Sequence, residues 1–189
     1  PEEYLIKGLE GDSSTDLPNF SNIAHELDVA IDDISGGLNI EDFNNDGHLD
    51  LFLTSYGLND PVYLFLADGK GRYTDVTTEA GLDGIVSGLN SVHADYNSDG
   101  HVDIFVLRGA WLADSGAHPT SLLHNNGDGT FTDVTHTSEI LSYHPTQTVS
   151  WADFNLDGFL DLFICNESNS DWQDVIAQNS VGEGQSHPS

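Results

Sequence analysis

The sequence predicts an all-β chain assembled from repeats, and three observations carry that prediction. A nine-residue pattern with Asp, Asn, Asp, Gly and Asp at positions 1, 3, 5, 6 and 9 occurs three times. A short apolar run follows each copy, and a strand-turn-strand pattern rich in Gly follows the first two. The copies start 53 and then 58 residues apart, and a fixed period in this range marks a repeat architecture.

The elements of a repeat follow in order. A small-residue strand leads in: Gly36 to Glu41, Gly88 to Ala94, and Thr148 to Ala152. The loop comes next, as Asp42-Phe43-Asn44-Asn45-Asp46-Gly47-His48-Leu49-Asp50, then as Asp95 to Asp103, then as Asp153 to Asp161. Beyond it stand the apolar runs Leu51-Phe52-Leu53, Ile104-Phe105-Val106 and Leu162-Phe163-Ile164. Such continuous runs suit a strand covered on both faces. A hairpin closes the first two repeats: Val62 to Leu66 with Arg72 to Val76, and Ser121 to His124 with Thr130 to Val134. Their turns, Ala67-Asp68-Gly69-Lys70-Gly71 and Asn125-Asn126-Gly127-Asp128-Gly129, carry the Asp-Gly and Asn-Gly steps that favour hairpins. These turns lack the oxygen spacing of the loops, so ordinary turn chemistry is expected there. Asn19 to Ala24 repeats the pattern of Arg72 to Thr77 and Thr130 to Thr135, and is expected to be the last strand of a preceding unit.

Four antiparallel strands in about 50 residues make the blade of a β-propeller. The chain is expected to hold the final strand of one blade, two whole repeats and the start of a third, over residues 18–189. Residues 1–17 read as an acidic arm or linker. The stretch Asn166 to Ser189 reads as polar and loop-like, without a strand pattern. Propellers close with four to eight blades, so the expectation is about three consecutive blades of a longer propeller, unstable as an isolated monomer.

The loop spacing fits a hard cation. Ca²⁺ takes six to eight oxygen ligands, and alternate residues of a tight loop can present theirs to one ion. Gly at position 6 lets the backbone reverse. The first half of the pattern matches an EF-hand loop, but position 12 is Leu53, Val106 or Ile164 instead of Glu, and β-prone runs replace the helices. The expected ligands are therefore the side chains at 1, 3, 5 and 9 with the carbonyl at 7. These are Asp42, Asn44, Asp46, His48 and Asp50; Asp95, Asn97, Asp99, His101 and Asp103; and Asp153, Asn155, Asp157, Phe159 and Asp161. One copy alone would equally be an Asp/Asn/Gly turn. Three copies that each crowd three carboxylates together favour a cation, because like charges repel.

Composition sets limits on partners. The 189 residues hold 32 acidic side chains against 4 basic ones, a net charge of −28. Three Ca²⁺ ions would still leave about −22. Such a surface repels phosphate backbones, which argues against nucleic acid, and it argues against anionic membranes in the same way. No stretch has the apolar length of a membrane-spanning helix. The single cysteine, Cys165, excludes an internal disulfide and is expected to be buried and free. Asn19-Phe20-Ser21 and Asn166-Glu167-Ser168 are glycosylation triplets.

The loop pattern followed by Leu-Phe, together with Asn125-Asn126-Gly127-Asp128-Gly129-Thr130-Phe131-Thr132-Asp133-Val134-Thr135, resembles the FG-GAP/VCBS repeat family, in its cartilage-acidic-protein-like branch. The resemblance covers roughly Phe20 to Asn166. It implies a seven- or eight-bladed extracellular propeller with one Ca²⁺ per motif-bearing blade, as in the heads of integrin α-subunits, bound by the positions named above. Two functions follow from this reading. The first is a calcium-binding, non-catalytic adhesion or recognition module, secreted, on a cell surface or periplasmic. It would bind protein or glycan through the loops Tyr56 to Pro61, Gly109 to Pro119 and Glu167 to Asp174, with Tyr56, Trp111 and Trp172 as anchors or as plugs between blades. The second is a polysaccharide lyase, a class that occurs among related calcium propellers. It would need a base, and His93 is the one candidate among Ile40, His93 and Trp151, which share a register position. With only Lys7, Lys70, Arg72 and Arg108 as basic residues, the sequence favours the first function.

Overall fold

The computed structural model describes residues 21–33, 35–109, 118–166 and 175–177. Within them the chain is all-β, in three antiparallel sheets with one repeat in each. The first sheet runs β1 (Ser35–Glu41), β2 (Asp50–Ser55), β3 (Tyr63–Ala67), β4 (Tyr73–Asp75), side by side in chain order. The second runs β5 (Asn90–Ala94), β6 (Asp103–Leu107), β7 (Ser121–Asn125), β8 (Phe131–Asp133) in the same way. The third holds β9 (Thr146–Ala152), β10 (Asp161–Asn166) and β11 (Val175–Ala177).

The sheets stack face to face, and the alternation of side chains shows how. One core joins Phe43 of the first loop and Phe52 and Leu64 of the first sheet to Ile104, Val106 and Leu123 of the second. Another joins Phe105, Leu107 and Leu122 of the second to Val149, Leu162 and Ile164 of the third. Successive residues of a strand point to opposite faces, so β6 sends Ile104 and Val106 back to the first sheet and Phe105 and Leu107 on to the third. This is why the apolar runs are continuous.

The innermost strands converge, with β1 against β5 and β5 against β9. There Asn39 donates to the Ser91 hydroxyl at 2.9 Å, both side chains buried. A Cβ at Gly37 would stand 2.1 Å from Asn90 Oδ1, so the small residues of these strands reflect backbones in close approach.

The outer faces of the stack lack a neighbour among the described residues. Phe52 and Phe105 are 0% exposed, whereas Phe163 at the same register is 39% exposed. On the opposite side Leu38 and Ile40 are 51% and 50% exposed. A cleft of about 380 Å³ opens beside Leu38, Leu53 and Tyr63. Another of about 240 Å³ opens beside Phe154 and Phe163. Cys165 is free and half-buried, not buried, because alternation sends it to the same open side as Phe163.

Two further expectations are corrected. Asn166 to Ser189 does not lack strand: Asn166 ends β10 and Val175–Ala177 pairs with Leu162 to Ile164. Three residues are too short to show a period. Of the strand expected at Asn19 to Ala24, residues 21–24 form none. They nevertheless keep the local bonds of the repeat. Ala24 N donates to Asn22 Oδ1 at 3.0 Å, as Thr77 N does to Asp75 and Thr135 N to Asp133. Leu27 O then accepts from Tyr73 N as Ala80 O does from Phe131 N. The expected 1–17 arm lies outside the described residues, as do Trp111, Trp172 and most of their two loops.

Candidate metal centres

Each loop connects the inner strand of a sheet to the apolar strand beside it. Inside each, position 1 accepts two backbone N–H groups. In the first loop Asp42 Oδ1 accepts from Asp46 N at 3.0 Å and Oδ2 from Gly47 N at 2.7 Å. Asn44 Oδ1 also accepts from Asp46 N, at 3.0 Å, and its Nδ2 donates to Asp46 Oδ2 at 3.0 Å. Asp46 Oδ1 accepts from His48 N at 2.9 Å. The second and third loops repeat this bond for bond. Asp95 and Asp153 Oδ1 accept from position 5 at 3.0 and 3.1 Å, and their Oδ2 accept from position 6 at 2.9 Å in both. Asp99 and Asp157 Oδ1 accept from position 7 at 2.9 Å in both. Asn97 and Asn155 repeat the amide-to-carboxylate bond at 2.8 and 3.0 Å.

The backbone explains part of the pattern. Position 6 has φ of +87°, +89° and +94° at Gly47, Gly100 and Gly158, a region that favours glycine. Position 4 is also left-handed, with φ of +58°, +59° and +62° at Asn45, Ser98 and Leu156. Asparagine tolerates that conformation; leucine is strained there.

Position 9 behaves differently from positions 1, 3 and 5. Asp50, Asp103 and Asp161 are at most 1% exposed, and each is the first residue of its apolar strand. Asp50 accepts from Phe43 N at 3.0 Å and Ala67 N at 2.8 Å, tying the loop to the hairpin. Asp103 accepts from Tyr96 N, Asn125 N and His124 Nδ1 at 3.3, 2.8 and 3.0 Å. Asp161 accepts from Phe154 N at 3.2 Å. Burial pushes the Asp50 and Asp103 carboxyls above the usual range, against the pull of these bonds. Asp46, on the exposed rim, is held low by the His48 N–H and then by Asn44. Burial pushes Asp99 upward, but the His101 N–H, Asn97 and the nearby His124 outweigh it and hold its carboxyl low.

Among the described residues no three carboxylate, imidazole or thiol side chains form a ready-made metal cluster. In the first loop Asp42 and Asp46 accept their bonds within the loop, whereas Asp50 faces the strands and accepts from the hairpin. The donor set still fits a hard cation. It is all oxygen, with three carboxylates and an amide in each loop. In the first loop the Asp42, Asn44 and Asp46 oxygens each accept one of the bonds above. Each has two lone pairs, so the bonds that shape the loop do not exhaust its capacity. A bound cation would neutralise the clustered carboxylates, and Asp42, Asn44, Asp46 and Asp50 with the His48 carbonyl would hold it in the first loop. The corresponding residues would hold it in the others.

The hairpin turns use their acids locally. Asp68 Oδ1 accepts from Lys70 N and Arg72 N, and Asp128 Oδ1 accepts from the Thr130 backbone and hydroxyl. Sequence reasoning did not foresee how close these turns come to the loops: the ring of His48 packs over Gly69, and that of His101 over Gly127. His124, also not foreseen, bridges toward two second-loop acids, with Asp103 at 3.0 Å and Asp99 at 3.9 Å. Its counterpart in the first sheet is Leu66, so register could have located it but nothing in the residue type flagged it.

Ile40, His93 and Trp151 do share a register, opposite Leu51, Ile104 and Leu162. His93 Nε2 stands 3.4 Å from Glu41 Oε2, and its ring meets Phe43 edge-on. Trp151 stacks on Tyr96. Arg108 is buried and donates to Val86 O and the Ser121 hydroxyl, with burial lowering its pKa to about 10. Its two Nη atoms are spent within the fold.

Comparison with known proteins agrees with this repeat. The FG-GAP-like repeat family matches residues 42–106 and 95–164. Cartilage acidic protein 1 of Xenopus tropicalis is 32% identical over 148 residues, 77% of this chain and 22% of that protein. The Mus musculus and Homo sapiens proteins of the same name are each 34% identical over 110 residues, 57% of this chain and 16% of theirs. The chain thus spans 16–22% of the length of these curated relatives. On the strength of the repeats that cover residues 42–164, the chain belongs to the FG-GAP-like repeat family.

Proposed function

We propose that this chain is a calcium-binding, non-catalytic, extracellular adhesion-type module that forms consecutive blades of a seven- or eight-bladed propeller. One observation carries the reading: three loops with the same oxygen donors adopt the same hydrogen-bonded turn, each at the junction of inner and apolar strands. Three carboxylates in one loop repel each other, and a divalent cation in each removes that cost. The ions stabilise the blades, and the loops of the propeller rims bind a protein or glycan. The open faces at Leu38 and Phe163 are covered by further blades of a longer chain or by neighbouring subunits. Extracellular placement is supported by relatives whose name is that of a cartilage protein.

The test is a calorimetric calcium titration of the chelator-stripped protein. Uptake of three ions is expected. No uptake in millimolar calcium would remove the calcium reading. Removal of single loops by Asp42→Ala, Asp95→Ala or Asp153→Ala should each lower the stoichiometry by one.

A further inference from the structure

We infer that the first two loops form a coupled pair, in which Asn45 makes a cation bound in one loop strengthen binding in the other. This rests on the calcium reading above. Asn45 lies between Asn44 and Asp46, two expected ligands of the first loop, and its side chain crosses to the second loop. Its Nδ2 donates to Gly100 O at 3.3 Å and faces His101 Nδ1 at 2.9 Å. Gly100 and His101 share one peptide group, and the N–H of that group donates to Asp99 Oδ1 at 2.9 Å. Fixing the Gly100 carbonyl therefore fixes the peptide plane that orients the position-5 carboxylate of the second loop.

A second, buried link runs parallel to the first. Asn125 is 1% exposed. Its Nδ2 donates to Phe43 O at 2.8 Å, in the first loop, and to Val102 O at 3.1 Å, in the second. Its backbone N–H donates to Asp103 at 2.8 Å, and its Oδ1 accepts from Gly127 N at 3.0 Å. The side-chain Nδ2 thus joins the two loops, while Oδ1 fixes the Asn125 amide by holding the hairpin turn. An ion that orders the first loop orders Asn45 and Phe43, and so lowers the ordering cost left for the second. By linkage the effect is reciprocal.

The Asn45 contact is specific to this pair. At the corresponding places between the second and third loops stand Ser98 and Phe159, which cannot form an amide-to-imidazole bond. Glycine is the informative replacement for Asn45, because φ of +58° would strain alanine. Asn45→Asp retains the shape and removes the donor.

The experiment is calorimetric calcium titration of the whole chain and of Asn45→Gly, Asn45→Asp, Ser98→Gly and Asp42→Ala. The wild type should take up three ions, two of them cooperatively, with affinity rising about fivefold within the pair. Asn45→Gly and Asn45→Asp should keep three ions and lose the cooperativity, while Ser98→Gly should keep both. Asp42→Ala should weaken the second site about fivefold without touching the third. Three ions bound without cooperativity, or cooperativity unchanged in both Asn45 variants, would overturn the inference and leave calcium binding standing. No uptake by the wild type would overturn both.

Discussion

Asp103→Ala should destabilise the protein far more than Asp99→Ala even when every cation is chelated. Both are expected ligands, but the structure gives them different second duties. Asp103 is buried and accepts from Asn125 N, His124 Nδ1 and Tyr96 N. Asn125 is buried too, so its N–H has no water to turn to once the acceptor is gone; His124 has a quarter of its side chain exposed and does. A buried unsatisfied donor costs about 1–3 kcal/mol, and a lost bond to a charged group about 1.5–3 kcal/mol. Against this, burial raises the Asp103 carboxyl, so the ionised group carries a desolvation cost that alanine removes. The net expected loss is about 2–4 kcal/mol. At about 2–4 °C per kcal/mol for a chain of this size, Tm should fall by about 4–16 °C. Asp99 lies nearer the surface, and water replaces its bonds to His101 N and Asn97, so its removal should cost about 1 kcal/mol or less. The assay is thermal melting by circular dichroism in EDTA, with Asp103→Asn as a third variant that keeps one oxygen acceptor and recovers most of the loss. Equal Tm shifts for Asp99→Ala and Asp103→Ala in EDTA would refute the division between rim ligands and the buried anchor.

Chelation itself should lower Tm, since an ion held only by the native state stabilises it by mass action; an unchanged midpoint would deny the ions a structural role. In EDTA the raised Asp50 and Asp103 carboxyls should make Tm rise as pH falls from neutrality toward their titration, because the native state then binds the extra protons. In calcium the trend should reverse, because protons compete with the cation; the same sign in both buffers would count against this. Asp99→Ala should remove one calcium from the stoichiometry while Asp128→Ala removes none, since Asp128 caps its own turn; equal losses would make the turn a ligand. Leu156 is 87% exposed at φ +62°, so Leu156→Asn should raise stability by about 1 kcal/mol in melts, and a loss would show that the leucine is held by something else. Phe163→Ser should reduce self-association of the isolated chain in light scattering, since the phenyl stands on an open sheet face; an unchanged mass would show that this face is not the sticky one.

The sequence by itself determined the repeat, the all-β class, the four-strand unit and the glycine reversal of each loop. Each of these is local. Asp at position 1 bonds N–H groups four and five residues on, Gly at 6 supplies a left-handed turn, and alternation within Leu51-Phe52-Leu53 needs only the period of a strand. It also pointed to open outer faces, because the apolar runs of the first and third repeats each have one neighbouring repeat among those legible in the sequence. Only the tertiary structure decided which oxygens stay on the rim and which go inside. Asp42 and Asp50 are the same residue type in the same motif, yet Asp50 alone meets an N–H from the hairpin, at Ala67, 17 residues away. The same holds for Asn45 and Asn125. As letters they are a loop residue and a turn residue, and no spacing rule joins them to Gly100 and Phe43. They become links between loops because stacked sheets bring neighbouring loops within hydrogen-bond reach, and that proximity is set by the cores between the sheets. The short strand Val175–Ala177 was hidden for a related reason. Three residues carry no period, and β10 supplies the ladder that makes them a strand.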